Sequence, residues 1–242
     1  MNDSTLNPSL KMKAVIFDHD GTLVRSEGLH QRAWEALISE LLPDRASQEA
    51  AMRVVLRSVG LTAPEILSNI LNSQGLHPSG VELEAYARRK NDVYLSLMGT
   101  HLQAYPGVED GLKWLQQRGI RLAVVSNARG KELRAGLEAV GLTKYFEGIF
   151  GRDEVPRPKP YPESFLAAVT KLGLHPADCL VLEDSPTGLE AALRGGIPCA
   201  GVLTNFTRPE LERPIPGEPD RSPIWIGEDA RAFFKWLEAS SK

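Results

Sequence analysis

Three apolar runs in this chain end in residues able to do chemistry. VIF (15–17) is followed by Asp18-His19-Asp20, VV (124–125) by Ser126-Asn127, and LVL (180–182) by Glu183-Asp184-Ser185. Residues two apart on an extended strand point to the same side, so Asp18 and Asp20 converge and His19 points away, provided strand geometry persists that far. Gly21 then lets the chain turn. Adding Asp184 and Glu183 puts three or four carboxylates in one place, where they repel one another and any phosphate dianion unless cations are present. A divalent metal is implied, and hard oxygen ligands with a substrate phosphate completing the shell suit Mg2+. Lys159 in RPKPYP supplies a second positive charge, with Pro158 and Pro160 stiffening its approach. Ser126 can offer a hydroxyl, and Asn127 a backbone N–H, to phosphate oxygens.

These clusters meet only if the right elements carry them. Short apolar runs alternate with amphipathic segments of helical length, the pattern of an α/β fold whose parallel sheet is covered by helices on both faces. Residues 13–17, 121–125 and 180–182 read as buried central strands; 148–151, 199–203 and 223–227 are weaker strand candidates. Helices are expected over 108–118, 131–140, 162–172, 187–194 and 229–239, with glycines 119, 141, 173 and 195 closing the first four. In open parallel sheets ligands bind beyond the carboxyl ends of the strands, so the three polar strand ends should face one crevice. Residues 27–100 break the alternation, since four segments there carry helical spacing and none reads as a strand. The expected organisation is a loose tail over 1–12, a core made of 13–26 and 103–242, and a helical insertion over 27–102 that returns through Pro106 and Gly107.

At 242 residues and 42% hydrophobic content, the chain can fill a sizeable core. A net charge of -3 with scattered Lys and Arg argues against a nucleic-acid partner. No run approaches the roughly 18 apolar residues of a membrane span. Cys179 and Cys199 lie in apolar strand-like runs, as reduced buried thiols do, which fits a cytoplasmic protein.

Each cluster has a plainer explanation when taken alone. A calcium loop counted from Asp18 would need Gly where Leu23 stands and Glu where Leu29 stands, so that explanation fails. Asp-Gly can simply turn the chain, Lys159 can be a surface lysine, and Pro186 with Thr187 and Glu190 can begin a helix through a capping box. What outweighs these is the joint order of the clusters at strand ends.

That order, D-x-D-G-T after one strand, S-N after a second, K-P after a third and E-D-S after a fourth, resembles the four motifs of the haloacid dehalogenase-like hydrolase superfamily over about residues 13–203. The helical insertion resembles the cap of its phosphoglycolate phosphatase and beta-phosphoglucomutase branch. The resemblance implies a Rossmann-like core and a Mg2+-dependent phosphatase acting on a small phosphorylated metabolite. It makes Asp18 the nucleophile that forms an aspartyl phosphate, and Asp20 the acid and then base. Mg2+ would be held by Asp18, Asp20 through its backbone carbonyl, and Asp184, with Glu183 in the outer shell. Thr22, Ser126, Asn127 and Lys159 would hold the phosphoryl group. EGLHQRAW and RRKNDVY resemble cap helices of the sugar-phosphate enzymes, which would turn His30 and Lys90 toward substrate; without the resemblance both are ordinary helix-face residues.

A mutase is the first alternative, but the loop of that branch that carries an arginine for a second phosphate corresponds to Gly60-Leu61-Thr62-Ala63, where no arginine stands. A silent binding protein on the same fold is the second, and every chemical position of the four motifs being filled weighs against it. A monomer is the default expectation.

Overall fold

The computed structural model describes residues 12–58, 62–215 and 221–240. Residues of the expected tail up to 11, and Gly60 and Leu61 of the mutase comparison, lie outside the described residues. Two compact units emerge from the contacts, one made of residues up to Arg25 together with Gln103–Lys242 and the other of Ser26–Leu102.

Among the described residues, the first unit is built on six parallel strands: β1 (Ala14–Phe17), β2 (Arg121–Val125), β3 (Gly148–Phe150), β4 (Cys179–Glu183), β5 (Cys199–Val202) and β6 (Trp225–Gly227). Their order in the sheet is β3-β2-β1-β4-β5-β6. The α/β expectation with a Rossmann-like parallel sheet is therefore met. β1 and β4 pair from Ala14 opposite Cys179 to Phe17 opposite Leu182, so their carboxyl ends lie level. Strand order reverses between these two, which is where open α/β sheets leave a crevice.

β1, β4 and β5 are apolar without alternation because both faces are covered. On one face Ile16, Ala123, Val125 and Val181 join Phe165, Ala168 and Val169 of α7 (Glu163–Lys171) and Leu189 and Ala192 of α8 (Pro186–Arg194). Toward the other, Phe17 meets Phe234 of α10 (Ala230–Ser240), the ring centroids 6.1 Å apart. α10 packs on α5 (Val108–Gln117), where a side chain at Gly111 would run into the Phe234 ring. This unit also carries α6 (Gly130–Ala139) and the short α9 (Arg208–Leu211).

Gly119, Gly141 and Gly173 take the left-handed conformation just past α5, α6 and α7, as expected of helix-closing glycines. After α8 the expectation needs correction, since Gly195 stays right-handed as the cap and Gly196, at φ 69°, makes the turn. Thr187 and Glu190 do not form the capping box of the plainer explanation. Ser185 is the N-cap, accepting from Gly188 N at 3.1 Å, and Pro186 takes the first helical position.

Among the described residues, the second unit holds four helices, α1 (Glu27–Leu41), α2 (Arg45–Arg57), α3 (Ala63–Ser73) and α4 (Gly80–His101). Trp34, Leu37 and Ile38 of α1 share a core with Leu67 and Ile70 of α3 and Ala87 of α4. Ser79 with Glu82 starts α4 through a reciprocal capping box.

Candidate active site

The carboxyl ends of β1 and β4 place Asp18, Glu183 and Asp184 side by side, each with one carboxylate oxygen inside a common span of 4.8 Å. All three are buried, at 6, 1 and 4% exposure. Lys159, 6% exposed, enters this cluster from the loop before α7. Its Nζ donates to Asp18 Oδ1 and to Glu183 Oε1, each at 2.6 Å, and to the Val125 carbonyl at 3.0 Å. The Phe165 ring lies 4.9 Å from the ammonium and seals its apolar side.

Asn127 anchors that lysine by backbone contacts. Lys159 N donates to Asn127 Oδ1 at 3.0 Å, and Asn127 Nδ2 returns a 3.2 Å bond to the Lys159 carbonyl. The Ser126 hydroxyl is 3.3 Å from Asp20 Oδ2 and also accepts from Ala128 N at 3.0 Å. Thus Asp18, Asn127, Lys159, Glu183 and Asp184 are joined in one network at the strand ends, and Asp20 and Ser126 form a further hydrogen-bonded pair. Thr22 belongs to neither, because its hydroxyl is fully buried with no hydrogen-bond partner among the described residues.

β1 ends at Phe17, and this changes the expectation for His19. The ring does not turn away from Asp20: Nδ1 lies 3.2 Å from Asp20 Oδ2, at ion-pair distance but without hydrogen-bond alignment. Burial opposes the imidazolium, yet the carboxylates of Asp20 and then Asp18 outweigh it and raise its pKa.

The oxygens of the carboxylate cluster divide into held and open. Glu183 Oε1 takes Lys159, while Oε2 accepts from Asp184 N and Ser185 N at 2.8 Å and from Ser185 Oγ at 2.9 Å. Gly188 leaves the space this carboxylate fills, since a Cβ there would overlap it. Asp184 Oδ2 accepts from Asn205 Nδ2 at 2.7 Å. Asp18 Oδ2 and Asp184 Oδ1 accept no hydrogen bond from any described residue.

One lysine does not balance this much buried negative charge. Burial pushes Asp18 up to about 7, with Lys159 pulling it down and Glu183 and Asp20 pushing it further up. Asp184 is raised well above the usual carboxylate range by burial and by the charges of Glu183 and Asp18. Lys159 moves the other way in charge terms: burial disfavours its ammonium, but Asp18 and Glu183 more than compensate and raise its pKa. Hard oxygen donors, two of them open, in a pocket short of positive charge fit a divalent cation.

Within the helical unit His30 of α1 and Lys90 of α4 also meet. Lys90 Nζ lies 2.8 Å from His30 Nδ1, at hydrogen-bond distance. His30 stacks on Tyr94 at 3.9 Å, and the Lys90 ammonium lies 5.5 Å from the Trp34 ring and 5.3 Å from Tyr94. Lys90 is buried at 5% exposure rather than solvated on a helix face.

The profile of the haloacid dehalogenase-like hydrolase family matches residues 12–196. The chain belongs to this family. As a haloacid dehalogenase-like hydrolase it is 29% identical over 225 residues to a phosphoglycolate phosphatase of Pseudomonas syringae pv. tomato, covering 92% of this chain and 78% of that protein. The structure of CbbY from Rhodobacter sphaeroides in complex with xylulose-(1,5)-bisphosphate superposes with a TM-score of 0.67 at 26% identity, over 87% of this chain and 93% of that one. A beta-phosphoglucomutase from Clostridium difficile shares the fold at a TM-score of 0.71 and 22% identity, over 95 and 97% of the two chains. The expected superfamily and branch are borne out, and with them the expectation of a phosphatase. Among the described residues, no helix is long and apolar enough to cross a membrane.

Sequence reading passed over Thr204 and Asn205, which follow β5 after Leu203. The strand-end rule that picks out Asp18, Ser126 and Glu183 applies equally to β5 and would have found them.

Proposed function

We propose that this hydrolase removes phosphate from a small phosphorylated metabolite through an aspartyl-phosphate intermediate on Asp18, with Mg2+ as cofactor. The observation that carries this reading is the pair of open oxygens, Asp18 Oδ2 and Asp184 Oδ1, in a buried carboxylate cluster that Lys159 enters as the ammonium. Mg2+ would be held by Asp18, Asp184 and the Asp20 backbone carbonyl, supplying positive charge for the phosphoryl oxygens. Glu183, with both oxygens engaged, acts through Lys159 and the 184–185 turn rather than as a direct ligand.

In the first step a carboxylate oxygen of Asp18 attacks phosphorus while Asp20 gives its proton to the departing alcohol oxygen. In the second, the Asp20 carboxylate takes a proton from water as that water attacks the phosphorus, releasing inorganic phosphate and returning Asp18. Lys159 and Ser126 stabilise the charge on the transferring group, and Asn127 holds the Lys159 loop through its side chain. His30 and Lys90 are proposed to contact the substrate from the helical unit. Phosphoglycolate and sugar phosphates are the candidate substrates, on the strength of the relatives named above, and the enzyme is taken as a monomer.

Inorganic phosphate release from a panel of phosphoglycolate, pentose and hexose phosphates and pentulose bisphosphates, with Mg2+ and with chelator, tests the reading. Metal-dependent release from one class is expected. Conversion of beta-glucose 1-phosphate to glucose 6-phosphate without phosphate loss would instead establish the mutase, and a metal-independent absence of turnover across the panel would favour a binding role.

A further inference from the structure

The loop leaving β5 lies outside all four motifs, yet it bonds to the ends of two other strands. Asn205 Nδ2 donates to Asp184 Oδ2 at 2.7 Å, and Thr204 Oγ1 donates to the Gly21 carbonyl at 2.5 Å. The first of these bonds passes over the bare Cα of Gly21, where a Cβ would collide with both Asp184 Oδ2 and Asn205 Nδ2. Gly21 is therefore needed at φ 80° for its turn and also for the close approach of this pair.

Asn205 gives the carboxylate of Asp184 its sole hydrogen bond from the described residues. A buried carboxylate with neither oxygen held can exchange them by rotation about its terminal torsion; holding Oδ2 leaves Oδ1 as the open one. The donor type matters as much as its position. A lysine here would neutralise the charge that a cation needs, as Lys159 partly does at Asp18, and an aspartate would repel. A neutral amide orients Asp184 and leaves its charge in place.

We infer that Asn205 is a positioning residue for the divalent cation: it fixes the orientation of Asp184 so that Oδ1 is presented for coordination. This rests on the proposed role of Asp184 as a ligand. Residues that orient metal ligands typically contribute ~10–100-fold in affinity, so removal of the amide should weaken Mg2+ binding by that factor.

The test is the melting temperature of chelator-treated protein titrated with MgCl2, for the wild type, Asp184→Asn, Asn205→Ala and Asn205→Leu. Leucine keeps the branching of the asparagine at Cγ without its donor, in case the alanine variant does not fold. The wild type should show a saturable rise and Asp184→Asn none. Both Asn205 variants should reach half-saturation at ~10–100-fold higher Mg2+, matched by the Mg2+ requirement for phosphate release. Asn205 variants that melt lower without metal but titrate at the wild-type Mg2+ concentration would show a merely structural role and overturn the inference. A wild type with no rise, or an Asp184→Asn variant that keeps one, would overturn the role of Asp184 itself and the inference with it.

Discussion

Lys159 Nζ donates to Asp18 Oδ1 at 2.6 Å with both residues more than nine-tenths buried, so the candidate nucleophile is held by the cation proposed to steady its reaction. This ion pair stands in a site with other carboxylates, and removing either partner has different consequences.

Lys159→Ala leaves Asp18 and Glu183 without their common ammonium. Breaking a buried pair by deleting one partner costs about 3–5 kcal/mol, which urea unfolding in chelator should register. Phosphate release should fall by roughly 100-fold or more, as when a preorganised charge stabiliser is removed. Lys159→Arg should not restore the rate, because a planar fork cannot reproduce three bonds that converge on one nitrogen.

Asp18→Asn should abolish turnover while the protein stays folded. The same variant tests the pH dependence of stability. Asp18 is raised from 3.8 to about 7, and Asp184 and His19 are also raised. For Asp18, the folded metal-free protein keeps a proton that the unfolded chain has released between about pH 4 and pH 7, so stability falls as pH rises through that window. Its melting temperature in chelator should decline from pH 5 to pH 7.5, and Asp18→Asn should make the decline shallower. A melting temperature that climbs over this range would contradict the assignment.

Gly188→Ala introduces a methyl group into the space of the Glu183 carboxylate. Glu183 must move, loosening its bonds to Lys159 and to Ser185. Overpacking of this kind costs about 1–3 kcal/mol. Comparing thermal unfolding with kcat should show both reduced, because the displaced group also anchors the site's lysine.

Lys90→Met keeps the length of the side chain between Trp34 and Tyr94 but removes its charge and its bond to His30. Loss of the ring contacts should lower stability by about 0.5–2 kcal/mol. If the proposed substrate contact holds, KM rises more than kcat falls in steady-state assays; an unchanged KM would confine Lys90 to the core of the helical unit.

Much of this architecture was legible in the order of residues. Strands buried on both faces must be unbroken apolar runs, so VIF, LAVV and LVL announce themselves, and the polar residues that stop them mark the crevice. Asp18, Ser126 and Glu183 were singled out in this way, and Lys159 by the prolines that flank it. The helical periods of 27–100 likewise reflect local spacing, which neighbouring residues reveal without tertiary context.

Tertiary structure decided the pairings and the directions. Whether His19 faces Asp20 depends on β1 ending at Phe17, one residue before the motif begins. That Lys159 bridges Asp18 and Glu183, 141 and 24 residues away, follows from the strand order β2-β1-β4 and from the Asn127 bonds that dock its loop. Lys90 carries the charge pattern of a solvated helix position, yet packing α4 on α1 buries it among aromatic rings. Asn205 reaches Asp184 across 21 residues, over a glycine 184 positions earlier in the chain, and no local pattern encodes a hydrogen bond between loops. The chain's own periodicity specifies which residues end a strand; only the sheet order and the close packing between loops specify which of their oxygens are held and which stay open.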